Sequence, residues 1–420
     1  MNCRKGKADM KKIVAFSLAI MLFALSAVSA FGYYSEAEGY STEVEDFDYY
    51  QKFQGQGIEI DVYNWGEYVA NDSVNFLDVN EDFEALTGIK VNYTLFSSNE
   101  ELYTKLRSGG TNYDVIVPSD YMIGKMIGEG MLQKLDFNNI PNYKYIDEKY
   151  KNANFDPNNE YSVPMYWGVV GIIYNTTMVD EEDLSGWDIL WNEKYADNML
   201  MFSNSRDAFA LALLDLGYSF NTTDETELEE AAGHLRAQKP LVQAYVMDEI
   251  YDKMEGGEAA VAPYYNGDAV LMMDVNEDLD FYVPENTSIF IDSMCIPAGA
   301  RNKEAAEMYI NYMCESTVAA ANSYYVGYST PHSGAFELLD EELQENEIAY
   351  PDDELISSLE ALLTLPQETS SYTDKLWTDI MATGGDSVVF QAIFLVVVAV
   401  VYFVIKVIDK RIKKKRMSYY

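Results

Sequence analysis

Two histidines and three cysteines leave this chain little with which to perform nucleophilic or metal chemistry. His234 lies in a charged helical stretch and His332 in a loop-like one, and neither stands at metal-ligand spacing from cysteines or carboxylates. No phosphate-cradling glycine loop, serine elbow or cysteine nucleophile signature occurs. What the chain does offer is rings and carboxylates near the ends of expected strands: Trp65, Glu67, Tyr68, Tyr121, Trp167, Asp207, Tyr265, Phe290, Asp292 and Tyr328. That mixture suits an alkyl ammonium ion, because carboxylates meet amines through charge-assisted hydrogen bonds while ring faces cover methylenes and attract the cation. Each residue also has a plainer role, since 14% of the chain is aromatic and most tyrosines and tryptophans simply pack. Shared placement on one cleft is what separates the two roles. Binding, with no catalytic residue, resident metal or cofactor, is the expectation.

The elements that must position these side chains begin with a β/α alternation. Residues 58–63 alternate as a strand; Phe76, Val79, Phe83 and Leu86 then recur at helical spacing, and Gly88 is placed to end that helix. Residues 90–96 return to strand. Ser98 and Glu101 form a capping box before a helix containing Leu102 and Leu106, which Gly109 and Gly110 end, and 113–117 is an apolar strand. This βαβαβ order predicts a parallel sheet with ligands bound beyond the carboxyl ends of its strands, where residues 63–68 and 118–121 fall. Further along, 163–174 and 289–296 read as strands and 208–216 as a helix. Leu355, Ile356, Leu359, Leu362 and Leu363 mark one face of an amphipathic helix. A chain of 420 residues with 48% apolar content suits two α/β lobes around a substantial core.

The ends carry a different message. Arg4, Lys5, Lys7, Lys11 and Lys12 precede an apolar run and then small residues through Ala30, the pattern of a secretory signal peptide over 1–30. Residues 31–57 are polar, aromatic and acidic without sustained period, and read as a flexible spacer. An uncharged stretch within 387–405 has the length of a transmembrane helix, and the seven basic residues of the 406–420 tail would stay cytoplasmic, leaving the middle of the chain outside the cell membrane. Without its two ends, residues 1–12 and 406–420, the chain holds 17 basic against 67 acidic residues, a balance that repels nucleic acid and draws cations near. Cys3 would leave with the signal, so at most one bridge, between Cys295 and Cys314, is open.

Six short segments, in order along the chain, carry a resemblance. VYNWGEYV at 62–69, VPSDY at 117–121, DPNN at 156–159 leading to PMYWG at 164–168, YNG at 265–267, IFIDS at 289–293 and GYSTP at 327–331 are similar to segments of the spermidine/putrescine-binding proteins of polyamine ABC transporters. The resemblance implies a two-lobed type II periplasmic-binding-protein fold, here followed by a C-terminal transmembrane helix. Its domain would span 58–385, with lobe 1 at about 58–173 and 288–336 and lobe 2 at about 174–287 and 337–385. It implies a monomer that closes on a polyamine and delivers it to permease subunits driven by a cytoplasmic ATPase. By the same resemblance Trp65 and Tyr68 line the cleft beside Glu67, with Ser119 and Tyr121 following. Asp207 holds an amine from lobe 2, Tyr265 and Phe290 stand where the family has tryptophan, Asp292 is the central carboxylate, and Tyr328 closes the aromatic set. Trp167 matches a family tryptophan that lines the site or packs. Asn204 and Leu362 depart from the family, which has an acid and a glutamine there, and leave putrescine against spermidine open.

Three other readings stand beside this one, among them a purely adhesive or scaffolding surface protein. A ferric-ion receptor of related fold would use paired tyrosines, here Tyr324 with Tyr325. An anchored extracellular hydrolase would need catalytic residues that the sequence does not display.

Overall fold

A computed structural model describes residues 34–110 and 112–382. The expected signal peptide, transmembrane helix and basic tail lie outside the described residues, among which no helix is long and apolar enough to cross a membrane.

The expected alternation forms as strand β1 (Glu59–Asn64), helix α1 (Val79–Thr87), β2 (Lys90–Leu95), α2 (Asn99–Arg107), β3 (Val115–Ile116) and α3 (Asp120–Gly128). Gly88 ends α1 in the left-handed conformation, and the Ser98 side chain accepts from the Glu101 amide at the start of α2. The chain continues through β4 (Ser162–Asn175), β5 (Met199–Phe202), α4 (Ser205–Asp215), α5 (Glu225–Gln238), β6 (Val242–Val246), α6 (Ile250–Glu255), β7 (Val261–Tyr265) and α7 (Asn266–Val275). It closes with β8 (Leu279–Tyr282), β9 (Ser288–Cys295), α8 (Lys303–Met313), α9 (Ser316–Val326), β10 (Glu360–Ala361) and α10 (Gln367–Ala382).

Strand order is β2-β1-β3-β9-β4-β7-β5-β6, with β8 beside β4 and β10 beside β9. Two parallel groups, β2-β1-β3 and β7-β5-β6, flank the antiparallel pair β9 and β4. The fourteen residues of β4 are all buried and serve both halves. Residues 162–169 pair with β9, and from Val170 onward the strand pairs with β7. Its side chains divide in the same way: Val163, Met165, Tyr166 and Trp167 join one hydrophobic core, while Val170, Ile172, Ile173 and Tyr174 join the other. A strand buried on both faces reads as a continuous apolar run, which is how this one appears in the sequence.

Two expectations are corrected. The spacer expected over 31–57 is, from residue 34, part of the fold. Its short strands Glu36–Ala37 and Tyr40–Ser41 and its turn of helix Phe47–Tyr50 lay aromatic side chains against the first lobe. Tyr40 stacks on Tyr324 at 4.5 Å between ring centroids, and the fully buried Tyr50 donates to Glu315 at 2.7 Å. Pieces this short show no period, so their rings had to be read one by one. The amphipathic helix expected over 355–363 stops at Ser358; Leu359 is extended, and Glu360–Ala361 pairs in parallel with β9. Backbone partners offered by that sheet edge outweigh the helical spacing of the leucines. Cys295 and Cys314 are both free and buried.

Candidate functional site

A cavity of about 80 Å³ opens where β4 passes from one half of the sheet to the other, and it is lined from both sides. Trp65, Gly66 and Tyr68 follow β1; Ser119 to Tyr121 follow β3; Asn204 and Asp207 follow β5; Met247 and Asp248 follow β6; and Tyr265 ends β7. These are carboxyl ends of parallel strands, where the edge of a β/α sheet leaves a crevice.

Four helices start at this crevice, and each places an acid in its first turn on the lining: Glu100 in α2, Asp120 in α3, Asp207 in α4 and Asp268 in α7. The positive end of a helix favours a carboxylate there. Asp248 and Asp292 bring the lining acids to six among the described residues, none of whose lysines, arginines or histidines lines the cavity. Arg206, the next residue to Asp207, turns its guanidinium to the Phe220 and Leu363 carbonyls and the Asn221 side chain.

Tyrosine hydroxyls hold most of these acids in place. Tyr68 donates to Asp292, Tyr328 to Asp268, Tyr265 to Asp207 at 2.8 Å, and Tyr121 to Glu100 at 3.0 Å. Asp268 also accepts from Tyr251 at 2.6 Å, and Asp207 from the Asn204 amide at 2.7 Å. Acceptor capacity is left over, since Asp292 Oδ1 and Asp120 Oδ2 are buried with no hydrogen-bond partner among the described residues. Burial pushes the carboxyls of Asp292 and Asp268 up to about 6, and it also raises those of Glu100, Asp120, Asp207 and Asp248. Desolvation disfavours the charged form, so an incoming cation would supply what these groups lack.

Three of these tyrosines, Tyr68, Tyr265 and Tyr328, join Trp65 and Phe290 in one connected set of rings. Trp65 lies 6.4 Å from Tyr68, Tyr68 5.3 Å from Tyr328, Tyr328 6.0 Å from Phe290 and Phe290 5.3 Å from Tyr265, most of them edge to face. Two glycines admit these rings. A β-carbon at Gly168 would stand 2.6 Å from the Phe290 ring, and one at Gly267 2.6 Å from the Tyr328 ring.

Of the residues singled out in the sequence, Trp65, Tyr68, Ser119, Tyr121, Asn204, Asp207, Tyr265, Phe290, Asp292 and Tyr328 meet on this cavity, and Leu362 joins them. Two do not. Glu67 is exposed in a left-handed turn between Gly66 and Tyr68, because a turn that aims both neighbours inward sends its own side chain out. Trp167 is buried against Tyr150 and donates to the Thr330 carbonyl, as a packing residue does. Tyr324 and Tyr325 lie off the cavity too, bonded to Glu38 and Asn71, so the tyrosine pair imagined for iron has no place on it. His234 stacks on Trp191, and the buried His332 caps a short helix through Nδ1.

Sequence reading passed over Glu100, Asp120, Asp248 and Asp268. Three of them left a signal: Asp120 sits inside VPSDY, Asp268 directly follows YNG, and Glu100 lies in the capping box. An acid in the first turn after a strand was the common mark. Asp248 stands in a loop beyond β6 and carried none.

The family described as bacterial extracellular solute-binding protein matches residues 111–359. A spermidine/putrescine-binding periplasmic protein of Escherichia coli (strain K12) is 38% identical over 298 residues, 70% of this chain and 84% of that protein. The putrescine-binding periplasmic protein SpuD of Pseudomonas aeruginosa is 29% identical over 338 residues, 76% of this chain and 90% of its own. Among solved structures, one described as a spermidine/putrescine ABC transporter from Listeria monocytogenes superposes with a TM-score of 0.74 at 37% identity, over 78% of this chain and 99% of that one. The substrate-binding protein PotD of Streptococcus pneumoniae gives 0.66 at 37% identity, over 77% and 99%. The relatives are solute-binding transport proteins, not enzymes, and share the two-lobed α/β architecture.

Proposed function

The chain belongs to the bacterial extracellular solute-binding proteins, and from that premise we propose that its cavity takes up a linear polyamine, spermidine or putrescine, for an ABC importer. One observation carries the reading: six carboxylates, three of them bonded to a connected set of rings, surround a cavity that no basic side chain lines among the described residues. Asp292 and Asp207, 4% exposed and half-buried respectively, would each take an ammonium group, with Trp65, Tyr68, Tyr265, Phe290 and Tyr328 covering the methylenes between. Ser119 would steady the Asp292 backbone, to which it is bridged, and Tyr121 would steady Glu100. Asn204 spends its amide on Asp207, so it orients that acid instead of replacing one.

In this reading the two lobes, about 58–173 with 288–336 and about 174–287 with 337–385, close on the ligand and present it to permease subunits served by a cytoplasmic ATPase. The domain acts as a monomer outside the cell membrane, held by the span expected at 387–405. Such a tether raises its effective concentration at the permease. Isothermal titration of the purified protein with putrescine and with spermidine tests the proposal. Saturable binding near micromolar strength, about −8 kcal/mol, is expected; no heat with either amine sinks it.

A further inference from the structure

A second cavity, of about 260 Å³, lies on the other side of the Glu100–Tyr121 pair, which lines both spaces. Its chemistry is opposite to that of the first. Arg107 and Lys125 reach it from α2 and α3 in one lobe, and Arg206 from α4 in the other. Elsewhere lysines meet carboxylates, as Lys134 meets Glu160 and Lys194 meets Asp183. Among the described residues none of these three cations makes an ion pair, in a chain whose formal charge is −40.

Tyr103 supports two of them, with Lys125 Nζ 4.1 Å from its ring centroid and Arg107 donating to its hydroxyl at 3.2 Å. Arg206 is 8% exposed, and its Nε is buried without a partner. Two helices also begin here: Ser205 and Arg206 open α4, Gln367 and Ser370 lie in the first turn of α10, and all four line the space. The hydroxyls of Thr104 and Ser371 also line it, while Thr373 spends its own on the Thr369 carbonyl at 3.0 Å. Two carboxylates share the lining, Glu100 bonded to Tyr121 and Asp374 to Ser205 at 2.9 Å, and Glu129 lies behind it, accepting from Tyr103 at 2.8 Å. Arg206 already donates to two carbonyls and Asn221, so Arg107 and Lys125 are the cations that face the space.

We propose that this cavity binds a small oxyanion of the phosphate class and that, because its walls come from both lobes, the anion favours the closed arrangement. Cations, the hydroxyls of Thr104 and Ser371 and the first turn of α10 converge there, which is the chemistry that phosphate selects. A ligand bridging both lobes is held better when they are together, so anion and amine strengthen each other by the same factor.

The full-length protein in chloride buffer is titrated with inorganic phosphate, followed by melting temperature and calorimetry, with sodium chloride at matched ionic strength as control. A saturable rise in melting temperature is expected with phosphate and not with chloride. It is lost in the double variant Arg107→Gln/Lys125→Gln, whose melting temperature in chloride alone shows that it folds. Spermidine affinity should rise about three- to tenfold at saturating phosphate. A phosphate response no larger than that of chloride, or one retained in the double variant, overturns the site. An unchanged spermidine affinity overturns the coupling. The first arm contains no amine, so its failure is distinguishable from failure of the polyamine reading.

Discussion

Asp292 concentrates the argument at the scale of one residue. One of its oxygens accepts from Tyr68, the other is buried with no partner, and burial lifts the carboxyl to about 6. Asp292→Asn is therefore expected to cost roughly 2–5 kcal/mol of polyamine binding, since a desolvated ammonium loses its counter-charge; titration calorimetry showing a loss below about 0.5 kcal/mol removes Asp292 from the site. Stability should move the other way. An aspartate at about 6 in the folded chain and near 3.8 when unfolded binds more protons folded between those values, so its ionisation destabilises the ligand-free protein at neutral pH, and that cost fades as pH falls through 6. The ligand-free asparagine variant should melt above the parent at neutral pH, by a margin that shrinks toward pH 4. A margin independent of pH contradicts this account. Most of these residues were legible in the sequence because ring and carboxylate types at strand ends point to one chemistry. Glu67 was misplaced because which residue of a turn faces inward depends on a backbone angle that residue types do not record.

Elements explain why the rings meet. β4, β7 and β9 carry Gly168, Tyr265 and Phe290 to one place, and α7 begins with Gly267 pressed against the Tyr328 ring. Gly267→Ala would force a β-carbon to within 2.6 Å of that ring, costing about 1–3 kcal/mol of stability and weakening polyamine binding as Tyr328 is displaced. Urea unfolding and calorimetry check both, and an alanine variant with unchanged affinity shows that Tyr328 does not touch the ligand. The segment before β1 makes a second prediction. Tyr50 is fully buried, donating to Glu315 and accepting from Asn311 at 2.7 Å. Tyr50→Phe should cost about 1–3 kcal/mol in chemical denaturation by stranding those partners, whereas a true spacer would register nothing. Strands and helices with strong periodicity, such as β1, α1 and β4, could be read directly. The 34–57 segment and the turn to β10 could not, because contacts distant in the chain decide them.

At the scale of the molecule, the two largest of four hydrophobic clusters among the described residues are joined by β4 and give two lobes, and this much followed from β/α alternation, chain length and the six matching segments. The placement of charge was less legible: composition gives −40 overall, but only the fold shows acids gathered on one cavity and three cations on the next. That arrangement makes salt a probe of how the ligand arrives. A strongly negative molecule with six carboxylates at one mouth should draw a polycation from beyond contact distance. The reach of that field shortens from about 30 Å at 0.01 M salt to about 8 Å at 0.15 M. The association rate of spermidine, followed by stopped flow through the fluorescence of the cavity-lining Trp65, should then fall on the order of tenfold across that range. Dissociation depends on contacts made inside the cavity and should change far less. Putrescine, with two charges against three, should show a shallower slope. Equal slopes for the two amines, or an association rate indifferent to salt, would mean that the acids act only after contact and that the overall charge of the molecule serves solubility alone.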